Sequence, residues 1–148
     1  MATELVRQRD CRLLGDKNLP RPASEAFMEP SLLLRTSTWL LVATALGGLA
    51  MAYVRFARNA NPPSWLAMAH GFLAAAAVTL LAYASLTVGI PALANWGLVL
   101  LLVAAVGGVF MNLRHHLGGI LLPAWLVVLH AVLAVAGFLM LLVVAFRW

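Results

Sequence analysis

Polar residues are rare in four segments of the chain, at about residues 36–56, 64–88, 91–113 and 121–146. The hydrocarbon core of a bilayer is about 30 Å thick, and about 20 apolar residues of helix cross it. Each segment meets that length. Proline or glycine residues interrupt the chain between the segments, where they end helices. The pattern therefore predicts four transmembrane helices joined by short loops.

The stretch before the first apolar segment, residues 1–34, has a different character from the rest of the chain. It carries all five acidic residues and five of the ten basic residues of the protein, and Pro20, Pro22 and Pro30 break any long helix. No apolar run in this stretch is long enough for a signal sequence. We therefore expect two regions, which are a polar N-terminal tail over residues 1–34 and a four-helix transmembrane domain over residues 35–148.

The composition places the protein in the membrane class. Of its 148 residues, 64% are hydrophobic and 10% are charged, whereas soluble domains are about 45–50% apolar and about 25% charged. The net charge of +5 comes from arginines at the ends of the apolar segments, so it does not indicate nucleic acid as a partner. A single cysteine, Cys11, excludes an intramolecular disulfide. The expected partners are the lipid bilayer and other membrane protein subunits, which residues 1–34 could contact.

Charge gives limited information on orientation in the membrane. Three arginines lie close to the membrane on each side, and the side with more basic residues normally faces the cytoplasm. These residues are Arg21, Arg35 and Arg147 on the side of the termini, and Arg55, Arg58 and Arg114 on the other. Since a tail left in the cytoplasm needs no translocation, we expect both termini there, in a bacterial inner membrane.

The apolar region contains an internal repeat. Its second half aligns with its first half without a gap when Gly107 is placed on Gly47. The pattern Gly-Gly-x-x-Met, followed by Pro-x-Trp-Leu-x-x-x-His-x-x-Leu-Ala, begins at each of these glycines. The repeated unit is a helical hairpin, over about 36–88 and again over about 91–146. The predicted fold is an all-α membrane protein whose four transmembrane helices form two tandem-repeated hairpins. A pseudo-two-fold axis along the membrane normal would relate these hairpins.

Two histidines are the polar residues most deeply placed in the predicted helices. No acidic residue follows Glu29, which excludes a carboxylate relay or a dicarboxylate metal site within the membrane. His70 and His130 are equivalent in the repeat, and each lies seven residues after a proline, about 10 Å along a helix. Ionisable residues at such depth usually face the interior of a bundle. They could hold one ligand from opposite sides, or each could hydrogen-bond to a neighbouring helix and stabilise the bundle.

Glycines at the predicted depth of the histidines favour a flat ligand. Gly48 and Gly108 leave space there, although small residues also allow helices to pack closely. Together these residues predict a haem b site, with His70 and His130 as metal ligands and the two glycines against the porphyrin. Small residues on the histidine faces would line its edge, and these are Ala74, Ala77, Ala134 and Gly137.

Further polar residues lie in the loop after the third helix. His115 and His116 could bind a metal ion, a quinone oxygen or, together with Arg114, a haem propionate. Arg55 and Arg58 are expected at the same side, where they could pair with a propionate. Arginines at helix ends also serve simply as anchors in the headgroup region.

The histidine pattern resembles, in principle, the bis-histidine haem sites of membrane four-helix cytochromes. It lacks the six spans and four histidines of the b561 cytochromes, and the acid of the histidine–aspartate motifs of succinate dehydrogenase anchors, so it indicates no family. The sequence leads us to expect a small integral-membrane subunit that passes electrons within a membrane redox complex. The alternative is a cofactor-free accessory or anchoring subunit of a larger membrane complex. Whether the chain is an enzyme is left open.

Overall fold

The computed structural model describes residues 29–147, and the predicted tail as far as residue 28 lies outside them. The described part contains four α-helices, which are α1 (Pro30–Ala57), α2 (Ser64–Thr87), α3 (Ala92–Met111) and α4 (Ala124–Arg147). A π-helical turn, Asn112–His116, continues α3. All four helices are long and apolar enough to cross a membrane. The protein is therefore an all-α integral membrane protein, as the pattern predicts.

The main difference from the predicted segments lies at the start of α1. This helix begins at Pro30 rather than near residue 36, so residues 30–34 of the predicted tail are helical. Proline suits the first position of a helix because the N–H group that it lacks would have no partner there. With 28 residues, α1 is about 42 Å long and extends beyond the hydrocarbon core of a bilayer.

The helices form a four-cornered bundle in chain order. Helix α1 packs most extensively on α2, and α3 on α4. Smaller contacts join α1 to α4 and α2 to α3. Helices α2 and α4 therefore occupy opposite corners, and residues on their inner faces can meet across the bundle axis.

One half of the bundle holds the main buried core. Its eleven buried members lie in the first halves of α1 and α3 and in the last halves of α2 and α4. We call this end of the bundle the terminal half and the opposite end the histidine half. The core residues are Leu34, Leu41, Ala77, Val78, Leu81, Ala94, Leu98, Leu101, Leu141, Val144 and Ala145.

The outer surface of the bundle is apolar at both ends. Trp65, Trp96 and Trp125 lie within the first five residues of their helices, and these three and Trp39 are between 63% and 69% exposed. This placement is typical of aromatic side chains at the membrane–water interface.

Polar contacts between the hairpins occur at positions related by the repeat. The Arg35 Nε donates to the Ala145 carbonyl at 3.4 Å, and the Ser85 Oγ donates to the Asn95 Oδ1 at 2.6 Å. Positions 35 and 95 are equivalent in the repeat, and so are positions 85 and 145. The two contacts therefore involve the positions that a two-fold axis would exchange. This favours the tandem arrangement, while the rotation relating the hairpins stays a prediction.

Candidate functional site

Each deep histidine is fixed to the preceding helix of its own hairpin. The His70 Nδ1 lies 2.9 Å from the Thr44 carbonyl oxygen, and the His130 Nδ1 lies 2.9 Å from the Ala104 carbonyl oxygen. Thr44 and Ala104 are again equivalent positions of the repeat. The two hairpins therefore hold their histidines in the same way.

A glycine makes each of these hydrogen bonds possible. A side chain on a helix covers the turn before its own position, so a residue at 48 would cover the Thr44 carbonyl. A Cβ added to Gly48 would lie 3.2 Å from the His70 Cε1, and one added to Gly108 would lie 3.2 Å from the His130 Cε1. The imidazole rings occupy the space that the glycines leave.

The hydrogen bonds determine which ring nitrogen carries the proton. A carbonyl oxygen only accepts, so the Nδ1 atoms of His70 and His130 must donate. In the neutral imidazole, the lone pair is then on Nε2. Histidines that bind metals usually donate the other ring N–H to a carbonyl or carboxylate in this manner. Both rings are therefore held in the tautomer in which Nε2 can bind a metal.

The two rings meet across the bundle. Their centroids are 6.3 Å apart, and their planes are inclined by 60°. Two imidazoles on opposite sides of one metal would have centroids about 6 Å apart, given bonds of about 2.0 Å each and the radius of each ring. The distance between the His70 and His130 centroids is close to that value.

The number of protein ligands bears on which group could sit between the rings. Among residues 29–147, no three His, Cys, Asp or Glu side chains come together as a metal-binding group. Structural zinc takes four protein ligands, which this pair does not provide. Two histidines could hold only a metal that brings most of its other ligands with it, as the iron of a haem does.

Hydrogen bonds between the two loops close the histidine half of the bundle. The Asn61 Nδ2 donates to the Ile120 carbonyl, and the Leu122 N–H donates to the Asn61 Oδ1, at 2.9 and 3.0 Å. The Arg55 Nε also donates to the Leu122 carbonyl at 2.6 Å. We call these contacts the loop clasp. The histidine pair thus lies between the buried core of the terminal half and the loop clasp.

No family model matches the chain, and no curated protein or solved structure matches it either. Its function is therefore inferred from the geometry of the site.

The structure brings together the four residues that the sequence predicts for the site. His70 and Gly48 are in contact in the first hairpin, and His130 and Gly108 are in contact in the second. The glycines contact histidine rings, while their contact with a porphyrin stays a prediction. The glycine and the histidine have the same separation along the chain in both hairpins, and this is the sequence signal for the pairing.

The small residues after the histidines separate into two groups. Ala74 and Ala134 are half-buried, as a position beside a ligand allows. Ala77 instead belongs to the core, and a Cβ added to Gly137 would lie 2.8 Å from the Gly97 carbonyl. The last two therefore serve helix packing rather than the edge of a macrocycle.

The histidines and the arginine near the loops of the histidine half have different surroundings. The His116 Nε2 lies 3.1 Å from the Ser64 Oγ, and the His115 ring packs against Phe110 with centroids 5.9 Å apart. The Nδ1 atoms of both histidines are buried without a hydrogen-bond partner in the described part of the chain. Arg55 takes part in the loop clasp and also donates to the Asn59 Oδ1. The sequence does not predict the loop clasp, because its acceptors are mostly backbone carbonyls.

Proposed function

We propose that the chain binds haem b between His70 and His130 and passes electrons as a small subunit of a membrane redox complex. The observation that carries the proposal is the pair of rings 6.3 Å apart, each with its Nδ1–H donated to a carbonyl. A haem with two histidine ligands supplies one-electron transfer. The membrane is the bacterial inner membrane, with both termini in the cytoplasm.

The residues of this chain would have separate roles toward the haem. His70 and His130 would hold the haem, and the Thr44 and Ala104 carbonyls would orient their rings. Gly48 would keep the His70 ring close to α1, and Gly108 would do the same at α3. The core of the terminal half and the loop clasp would hold the two hairpins, and with them the two imidazoles, at a fixed separation.

A second candidate is supported by the same hydrogen bonds. A histidine that donates to a neighbouring helix also stabilises a bundle without any cofactor, typically by less than about 2 kcal/mol. The protein would then be an accessory or anchoring subunit of a larger membrane complex, and the tail before α1 would contact the other subunits.

Visible absorption spectra of the purified protein, oxidised and then reduced, separate the two candidates. We expect the bands of a low-spin b-type haem, and we expect either His70→Ala or His130→Ala to abolish them. His115→Ala is the matched control, since it removes an imidazole in the π-helical turn after α3 and should leave the low-spin bands in place. A colourless protein purified with its native partners would reject the haem and favour the accessory subunit.

A further inference from the structure

The loops of the histidine half carry positive charge and no acidic side chain. Arg55 and Arg58 lie in the last turn of α1 and directly after it, and Arg114 lies in the π-helical turn after α3. Glu29, the last acidic residue of the sequence, is at the opposite end of the bundle, directly before α1. We call the surface formed by residues 55–63 and 112–123 the loop end. Within residues 29–147, its three arginines have no carboxylate at their own end of the bundle.

The three arginines of the loop end have different contacts. The Arg55 guanidinium binds within the protein, since it donates to the Leu122 carbonyl and to the Asn59 Oδ1. Arg58 and Arg114 are exposed, and neither side chain makes a hydrogen bond or an ion pair with another residue of the described part. Each guanidinium has five N–H donors, so these two are available to an external anion.

Two tryptophans indicate the depth of these arginines in the membrane. Trp65 and Trp125 lie in the first turns of α2 and α4 and are 69% and 66% exposed, as is typical of tryptophan at the headgroup level. Arg58 and Arg114 closely follow α1 and α3, which end where α2 and α4 begin. We therefore expect both guanidinium groups at the level of the lipid phosphates. This depth favours a lipid headgroup over a soluble acidic protein as the anion.

The opposite end of the bundle has charges of both signs. Arg35 and Arg147 lie there together with Glu29, and the Arg35 Nε is bonded to the Ala145 carbonyl. An anion is therefore attracted more strongly to the loop end. Arg147 provides an internal control, because it is also exposed at the end of a helix but has a carboxylate at its own end of the bundle.

We propose that the loop end binds phospholipids with a negatively charged headgroup, such as phosphatidylglycerol, through Arg58 and Arg114. Arginine and phosphate form charge-assisted, bidentate hydrogen bonds. Because α1 and α3 occupy opposite corners of the bundle, each arginine contacts its own lipid. Phosphatidylcholine has the same phosphate, but its trimethylammonium group cancels the charge and is repelled by the arginines. Binding does not depend on the haem, because neither arginine is one of its proposed ligands.

Native mass spectrometry of the full chain in a neutral detergent tests this selectivity. Dioleoylphosphatidylglycerol is titrated into the protein, and dioleoylphosphatidylcholine, which has the same acyl chains, is the control lipid. We expect one anionic lipid to bind per free arginine at concentrations where the control lipid leaves the protein mainly without lipid. Glycerol 3-phosphate, which has the phosphate and no acyl chain, should not displace the bound lipid at the same concentration.

Two outcomes of the titration would overturn the proposal. Equal binding of the two lipids would show that the headgroup charge is not recognised, and would leave the arginines to an acidic protein partner. Displacement by glycerol 3-phosphate would identify a site for a soluble phosphate instead of a lipid. The titration is made on the protein whether it is coloured or colourless, so its result is separate from the result for the haem.

Substitution of single arginines provides the matched variants. Arg58→Gln and Arg114→Gln should each weaken one lipid site about fivefold, the effect of one arginine near an anionic lipid surface. Both side chains are exposed, so we expect the variants to fold and to bind phosphatidylcholine as the wild type does. Arg147→Gln is the control and should leave both sites unchanged. Equal losses in all three variants, or no loss when Arg58 and Arg114 are replaced together, would overturn the proposal.

Discussion

At the scale of single residues, the main feature is a glycine that allows a histidine to reach a backbone carbonyl. The Gly48–His70 and Gly108–His130 contacts have the same distance of 3.2 Å from the added Cβ to Cε1. A carbonyl in a helix can accept a second hydrogen bond because it has two lone pairs. The neighbouring glycine makes that second bond accessible to an imidazole.

This contact makes a prediction for adjacent glycines of α3. Gly108→Val should lower the free energy of unfolding by about 1–3 kcal/mol, since overpacking typically has that cost and the added side chain would collide with the His130 ring. Gly107→Val is the control, because the space beside Gly107 is open. Unfolding in mixed micelles, followed by circular dichroism, compares the two. Equal stabilities would show that Gly108 does not position the ring.

At the scale of helices, two different kinds of contact hold the hairpins together. The terminal half is joined by the apolar core and by the Ser85–Asn95 hydrogen bond. The loop clasp joins the histidine half through Asn61 and Arg55. Apolar packing alone distinguishes poorly between neighbouring helices in lipid, so the polar contacts determine which hairpin faces meet.

A double-mutant cycle tests the contact between α2 and α3. Ser85→Ala and Asn95→Ala should be coupled by about 0.6 kcal/mol, the average for hydrogen bonds between membrane helices. Thr87 is the control partner for Asn95, because its Oγ1 donates to the Tyr83 carbonyl within α2, so that pair should show no coupling. Free energies of unfolding in bicelles supply the four values. A coupling of zero for Ser85 and Asn95 would contradict the hairpin contact that we describe.

At the scale of the whole molecule, both loops of the histidine half lie at one end of the bundle and the helix ends at residues 30 and 147 lie at the other. This follows from four antiparallel helices in chain order. If both termini are cytoplasmic, the histidine pair and the loop clasp are nearer the outer side of the membrane. The proposed redox site would then be closer to the periplasm than to the cytoplasm.

Labelling with a membrane-impermeant maleimide tests this orientation in intact cells. The native Cys11 should react only after the cells are permeabilised. Ala60→Cys, in a Cys11→Ser background, should react without permeabilisation, because residue 60 is exposed in the loop between α1 and α2. Val132→Cys is the control, since its position is 59% exposed on the lipid-facing part of α4 and should react in neither case. The reverse pattern for Cys11 and Ala60→Cys would place the termini outside.

The sequence by itself determined the class of protein, the number of helices and the residues of the candidate site. Long apolar runs must be helical in lipid, because each backbone polar group needs a partner within its own segment. The internal repeat paired His70 with His130 from spacing alone. These features can be predicted from the sequence because they depend only on composition and on spacing along the chain.

Only the tertiary structure decided how these residues are used. The hydrogen bonds of His70 and His130 go to backbone carbonyls, which look alike in every sequence, and the ring separation of 6.3 Å depends on how α2 and α4 are placed at opposite corners. The sequence also does not predict that a Cβ added to Gly47 would contact His70 while one added to Gly107 would have no atom within 4 Å, because both glycines lie in the same Gly-Gly-x-x-Met pattern. Contacts between helices depend on the packing of the whole bundle, so they cannot be predicted from the periodicity of one helix.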